Sequence, residues 1–153
     1  MCLSDTSDFY DPVANPLIQP CHCNSFIHVM CLRKWLDQKK RVERLLKQVK
    51  VVFEKFCCEI CQCPYPIRFK TTNKLRHSLL DFELQSDQNY LVLESVPKPD
   101  SAGKHSKTVH LFTTRSLWMY KVGRSSKADM SINEITISRA HAEIKFDGLR
   151  FTL

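Results

Sequence analysis

Residues 120–146 read "YKVGRSSKADMSINEITISRAHAEIKF", and this stretch decides the fold of the C-terminal half. It breaks into short runs of strand formers with turns between them. The texture extends outward on both sides. "YLVLESV" (90–96), "TVHLFTT" (108–114), "LWMYKVG" (117–123), "DMSIN" (129–133), "AHAEIKF" (140–146) and "LRFTL" (149–153) are strand candidates. "PKPDSAGKHSK" (97–107) reads as a loop. Short strands at this spacing suggest a β-sandwich or barrel.

Upstream of Asn89 the texture changes. Residues 67–88 are a mixed linker, with a short helix expected around Leu75–Leu84. Residues 32–55 predict a long helix. Trp35, Leu36, Val42, Leu45, Leu46, Val49, Val52, Phe53 and Phe56 recur close to a 3.6 period, with no Gly or Pro inside. Residues 3–20 hold Pro12, Pro16 and Pro20 and read as a loop. The expected fold class is therefore α+β.

The chain has 153 residues and a formal charge of +7. Nine Lys or Arg against three acids fall within 32–55, so one segment holds almost all the excess. Its basic face reads either as a solvated helix face or as a nucleic-acid surface. It lacks interleaved aromatics and any reading motif, so nucleic acid is not an expected partner. No run of about 18 apolar residues is present, so no membrane span is expected. Nor does the N-terminus show a signal-peptide pattern. The expected location is cytoplasmic or nuclear.

Eight cysteines without a secretory signal favour metal over disulfides. Six of them, with one histidine, carry the pattern: Cys2 alone, then Cys21-x-Cys23, His28-x2-Cys31 and Cys58-x2-Cys61. Close pairs suit zinc, because one tight turn can present two ligands of a tetrahedron. Cys57 and Cys63 read as ordinary small hydrophobes. His22, between two ligands, is expected to face solvent.

The order of these ligands, with the Cys-Leu-x-x-Trp of residues 31–35 and Cys58-Glu59-Ile60-Cys61, resembles the RING-CH (RING variant, C4HC3) family over residues 1–66. The resemblance implies two zinc ions in a cross-brace. Cys21, Cys23, Cys58 and Cys61 would hold one. Cys2, His28 and Cys31 would hold the other, whose first ligand would lie before Met1; Asp5 is the nearest substitute. The four-residue gap between Cys23 and His28 is short for the family, and the 26-residue spacer between Cys31 and Cys58 is long. The family transfers ubiquitin without covalent chemistry, by positioning a charged conjugating enzyme. Its contact surface maps here to Met1, Trp35 and Ile60, although Trp35 reads equally as core. Gln62 stands where active members often carry a basic residue.

Gly123-Arg124, Asp129 and Ser138-Arg139-x-His141 resemble the forkhead-associated (FHA) family, a β-sandwich that binds phosphothreonine. The resemblance implies that Arg124 and Ser138 contact the phosphopeptide, that Arg139 assists, and that Gly123 and His141 hold the loops. A doubly charged phosphate needs a guanidinium and short hydroxyl donors presented on loops. The expected organisation is a RING-CH finger (1–66), a linker (67–88) and the N-terminal part of an FHA domain (89–153), in a chain that is a fragment at both ends. In that reading the family's later loop, whose Asn grips the peptide backbone, lies beyond Leu153. The implied function is a ubiquitin ligase whose substrates carry phosphothreonine. The alternative is a phosphopeptide adaptor with a purely structural zinc finger.

Overall fold

The computed structural model describes residues 11, 13–45, 47–71, 74–82, 89–96, 105–114 and 118–153. Met1, Cys2 and Asp5 lie outside the described residues. The chain forms two compact units. The first comprises residues 1–42, 51–83 and 94–109, and the second 43–50, 84–93 and 110–153.

In the first unit, β1 (Leu17–Ile18) pairs antiparallel with β2 (Ile27–His28), and Leu17 stands opposite His28. The only helix among the described residues, α1, follows at once over Val29–Asp37. Val29, Leu32 and Leu36 recur at helical spacing and are buried, which fixes the inward face. The last turn closes with the Gln38 N–H donating to the Lys34 carbonyl at 3.3 Å.

The helix then stops, and the expected long helix over 32–55 is not there. Its place is taken by two strands, β3 (Lys40–Arg44) and β4 (Gln48–Phe53). Among the described residues the fold is thus predominantly β with one nine-residue helix, not α+β. The exposure pattern explains the error. Val42 and Leu45 are 42% and 51% exposed, while the polar Gln48 is 5% exposed. A helix built on the apolar positions would have done the reverse. Val49, Val51 and Val52 are β-branched and lose side-chain freedom in a helix, whereas a pleated surface accommodates them. Among the described residues, the short helix expected around Leu75–Leu84 is also absent; residues 83 and 84 lie outside them. β5 (Arg68–Lys70) and β6 (Arg76–Ser78) pair there, with the Phe69 and His77 rings stacked 5.6 Å apart.

Phe53, Phe56 and Tyr65 form the aromatic centre of this unit, with ring centroids 5.5 and 6.1 Å apart along the series. Lys107 is a buried cation at 1% exposure. Its ammonium meets Glu94 at 3.3 Å and the Ser95 carbonyl. Burial pushes its pKa down, and Glu94 opposes that shift.

All six strand candidates after Asn89 contain a strand: β7 (Asn89–Glu94), β8 (Lys107–Thr114), β9 (Trp118–Gly123), β10 (Met130–Ser131), β11 (Ala142–Phe146) and β12 (Phe151–Thr152). One four-stranded sheet runs β3-β4-β8-β7, and a second runs β10-β9-β11-β12. In the second sheet β11 lies antiparallel to β9, from Ala142 opposite Val122 to Phe146 opposite Trp118. The core of the second unit draws on both sheets. Phe112, Tyr120, Val122 and Ile144 are buried at its centre, with Leu91, Leu93, Trp118 and Phe151 packed against them. Phe112 and Tyr120 touch ring to ring at 4.6 Å. This packing sits under β9 and β11, next to the loops into which both strands run.

Candidate metal centre and a paired-loop site

In the first unit, Cys21, Cys23, Cys58 and Cys61 converge. Their Sγ atoms all lie within 4.8 Å of one another, and Cys23 and Cys58 are 3.8 Å apart. Zinc binds thiolates at about 2.3 Å, so a tetrahedral site has sulfur–sulfur edges of about 3.8 Å. The cluster therefore fits a tetrahedral Zn(Cys)4 centre. The chain presents the second pair on a tight knuckle. The Cys58 N–H donates to the Cys63 carbonyl at 2.9 Å, and the Gln62 N–H to the Cys58 carbonyl at 3.0 Å. Cys57 and Pro64 close the knuckle by a β-bridge, and Gln62 turns the chain at φ 56.

The four thiols share charge unequally. Backbone N–H groups of Cys63 and His22, with thiols of Cys23 and Cys58, bring Cys61 down to about 6, against the opposing effect of burial. Its neighbours are pushed the other way. The Cys61 sulfur, then burial, raise Cys23 to about 12. Burial, reinforced by the thiols of Cys58 and Cys61, raises Cys21. A sulfur cluster that supports one thiolate and resists the next accepts a divalent cation in exchange for protons.

The remaining predicted ligands are placed less completely. His28 ends β2 and Cys31 lies in the first turn of α1, both half-buried. Cys2 lies outside the described residues. Cys57 is buried and Cys63 half-buried, and neither belongs to the four-sulfur group. Ile60 is 84% exposed at the tip of the knuckle. Trp35 is half-buried, edge-on to Tyr65 at 6.3 Å. Lys39 links the two regions. Its ammonium sits 3.8 Å above the Trp35 ring and 2.6 Å from Glu59, next to Ile60.

In the second unit, two loops meet beyond the ends of β9 and β11. The Arg124 N–H donates to the Ser138 carbonyl at 2.9 Å, and the Ser125 N–H to the Arg139 carbonyl at 3.2 Å. The His141 N–H closes the seam onto the Val122 carbonyl at 2.9 Å. Gly123 permits this approach: a Cβ there would stand 2.3 Å from the Arg139 carbonyl oxygen. The Ser138 hydroxyl donates to the Ala140 carbonyl at 2.9 Å, so the His141 Nδ1–H, 3.3 Å away, donates to its oxygen. Arg124, Lys127, Ser138 and Arg139 are all exposed. The sequence-predicted Gly123, Arg124, Ser138, Arg139 and His141 thus share one seam, with two guanidinium groups and a hydroxyl on its surface. Such a set can bind an anion with charge-assisted hydrogen bonds.

Asp129 ends the first loop. Its carboxylate accepts the Lys121 N–H at 2.9 Å and pairs with Lys47 at 2.9 Å. Burial would raise its pKa, but the Lys121 N–H and the Lys47 ammonium outweigh that and hold it below the usual carboxylate range. Sequence reasoning missed Lys47 and its neighbour Gln48. A polar Gln within a valine-rich run was the available signal.

Residues 120–153 match the family model of the FHA domain, a match that covers this seam. No curated protein and no solved structure matches the chain significantly. Among the described residues, no helix is long and apolar enough to cross a membrane.

Proposed function

We propose that the chain reads phosphothreonine in a partner protein through the seam between the Arg124 and Ser138 loops, and that it carries a structural zinc centre at Cys21, Cys23, Cys58 and Cys61. The observation that carries the reading is the paired-loop geometry within the FHA match: Arg124 and Ser138 are brought together by backbone hydrogen bonds and face solvent. Arg124 supplies the fixed charge for the phosphate. Ser138 turns its hydroxyl from the Ala140 carbonyl toward a phosphate oxygen, while His141 keeps its oxygen in place. Arg139 adds a second charge at the rim. A phosphopeptide-reading site of this kind fits the cytoplasm or nucleus.

The test is titration of the protein with a phosphothreonine peptide library. Arg124→Ala removes a charge-assisted hydrogen bond worth about 1.5–3 kcal/mol, roughly a ten- to hundred-fold loss of affinity. Ser138→Ala removes a neutral donor and costs less. Equal binding of phosphorylated and unphosphorylated peptides would end the reading.

A second reading adds ubiquitin transfer. In it the N-terminal region is a RING-CH finger, and a second zinc is held by Cys2, His28 and Cys31. Exposed Ile60, with Trp35 joined to the same knuckle through Lys39 and Glu59, favours this. With Met1, these residues would form the apolar contact for a ubiquitin-conjugating enzyme. Discharge of a ubiquitin-charged conjugating enzyme that is lost on Ile60→Ala supports the ligase. No discharge by the zinc-loaded protein leaves the adaptor.

A further inference from the structure

Residues 43–50 belong to the second unit, although they precede it in sequence by more than thirty positions. Their contacts are specific. Lys47 pairs with the Asp129 carboxylate at 2.9 Å. The Gln48 side-chain amide donates to the Asp129 carbonyl. With its Nε2 used there, Gln48 turns Oε1 to His110, whose Nδ1 lies 2.8 Å away and therefore carries the proton. His110 is buried and stacks on Phe112, which packs against Tyr120. Tyr120 begins the three residues that lead into Gly123 and Arg124. One side of this arrangement thus fixes the end of the Arg124 loop at Asp129, and the other fixes the strand that enters it.

We infer that Lys47 and Gln48 are positioning residues for the Arg124 loop, so that residues lying between Cys31 and Cys58 in sequence set the geometry of the anion-binding seam. The inference rests on the phosphopeptide reading for its purpose, but not for its physics. Asp129 is engaged from three directions: the Lys121 N–H, the Lys47 ammonium and the Gln48 amide. Two of these come from the turn at 47–48. A carboxylate that is half-buried and ion-paired loses its orientation when the cation is removed, because water then competes for its oxygens. The loop from Arg124 to Asp129 holds itself internally by the Ala128 N–H to the Ser125 carbonyl at 3.0 Å. Freed at Asp129, the far end of the loop would shift while the seam bonds of Arg124 and Ser125 hold the near end, and the Arg124 side chain between them would lose its fixed placement. Lys47 itself need not touch the ligand, since its ammonium is occupied by Asp129.

The experiment uses the intact chain and three variants: Lys47→Met, which keeps the stem and removes the charge; Lys47→Arg, which restores the charge; and Gln48→Met. Amide hydrogen exchange is read residue by residue, and phosphothreonine peptide affinity is measured beside it. Lys47→Met should speed exchange at Lys121 and Ala128 while leaving the β5–β6 amides unchanged, and Lys47→Arg should restore protection. Peptide affinity should fall about three- to thirty-fold, the range of coupling through a packed network. Unchanged exchange at Lys121 and Ala128 would overturn the inference, and affinity loss without an exchange change would make Lys47 a direct contact instead. If the wild type binds no phosphopeptide, the functional reading falls while the exchange result still decides the positioning role. Gln48→Met guards against a misfolded Lys47 variant, because it breaks the same anchor from the uncharged side.

Discussion

Gly123→Ala tests the seam most directly. The added methyl carbon would lie 2.3 Å from the Arg139 oxygen, 2.9 Å from its carbonyl carbon and 3.1 Å from the His141 nitrogen. All three are backbone atoms, so no side chain can swing aside. Parting the loops by about 0.7 Å brings the closest contact only to about 3.0 Å, still tight for carbon against oxygen. The same movement stretches the Arg124–Ser138 and His141–Val122 hydrogen bonds, both 2.9 Å, to about 3.6 Å. The 3.2 Å bond from Ser125 to Arg139 goes further. Three hydrogen bonds at about 0.5–1.5 kcal/mol each put the cost at roughly 2–4 kcal/mol. In a chain of this size that is about 2–4 °C in Tm for each kcal/mol. Gly148 is the control. Its φ of +96 strains an alanine, yet nothing lies within 4 Å of the added carbon. Gly148→Ala should cost about 1–2 kcal/mol from backbone strain alone and leave peptide binding intact. Thermal unfolding and peptide titration of both variants decide the matter. A wild-type melting temperature for Gly123→Ala, or a larger loss for Gly148→Ala, would refute the close-approach argument.

Two further outcomes concern the metal and the buried histidine. Cobalt substitution should give the intense sulfur-to-metal absorption of a tetrahedral thiolate site, abolished by Cys58→Ser and preserved by Cys63→Ser; equal loss in both would mean that the wrong sulfurs were paired. Chelation should unfold the first unit, because structural zinc supplies on the order of 10–16 kcal/mol of apparent folding energy. Burial, assisted by the Lys50 charge and opposed by Glu43, holds the His110 pKa below its ordinary 6.5. The unfolded chain therefore takes up a proton near pH 6.5 that the folded chain resists, and stability should fall as pH drops below that value. Unfolding measured from pH 7.5 to 5.5 should show this slope, and His110→Gln should flatten it; an identical slope in the variant would assign it to another group.

The four-sulfur cluster was legible because cysteine spacing is a local property. Cys21-x-Cys23 and Cys58-x2-Cys61 can be read as turn-borne pairs without knowing the fold. The strands after Asn89 were legible for the same reason, since turn residues punctuate them. The region 38–55 was misread because its apolar residues fit a 3.6 period by coincidence. Nothing in a Leu or Val says whether it will be buried, and Val42 and Leu45 are not. The β-branched run Val49, Val51 and Val52 was the contrary signal, and it outweighed the missing Gly and Pro. Gln62 shows a different limit. It adopts φ 56 in the knuckle, where Gly or Asn would have announced the turn. The tie from Lys47 and Gln48 to Asp129 spans some eighty residues, and no periodicity reaches that far.

The interleaved order of the two units bears on how the chain is made. Segment 43–50 leaves the ribosome about sixty residues before residue 110, where the main body of its unit begins. At about 5–20 residues per second, that is a wait of roughly 3–12 seconds. During that time β4 has β3 on one side but no β8 on the other, and the backbone N–H and C=O groups of that edge remain open to other chains. The early cysteines face a shorter interval, because Cys61 follows Cys21 by only forty residues. On the proposed zinc reading, metal capture can precede pairing with β8, and a nascent chain closed by zinc would hold the waiting hairpin as a loop rather than a free end. Codon-dependent pauses between residues 61 and 110 would then lengthen exposure of that open edge of β4.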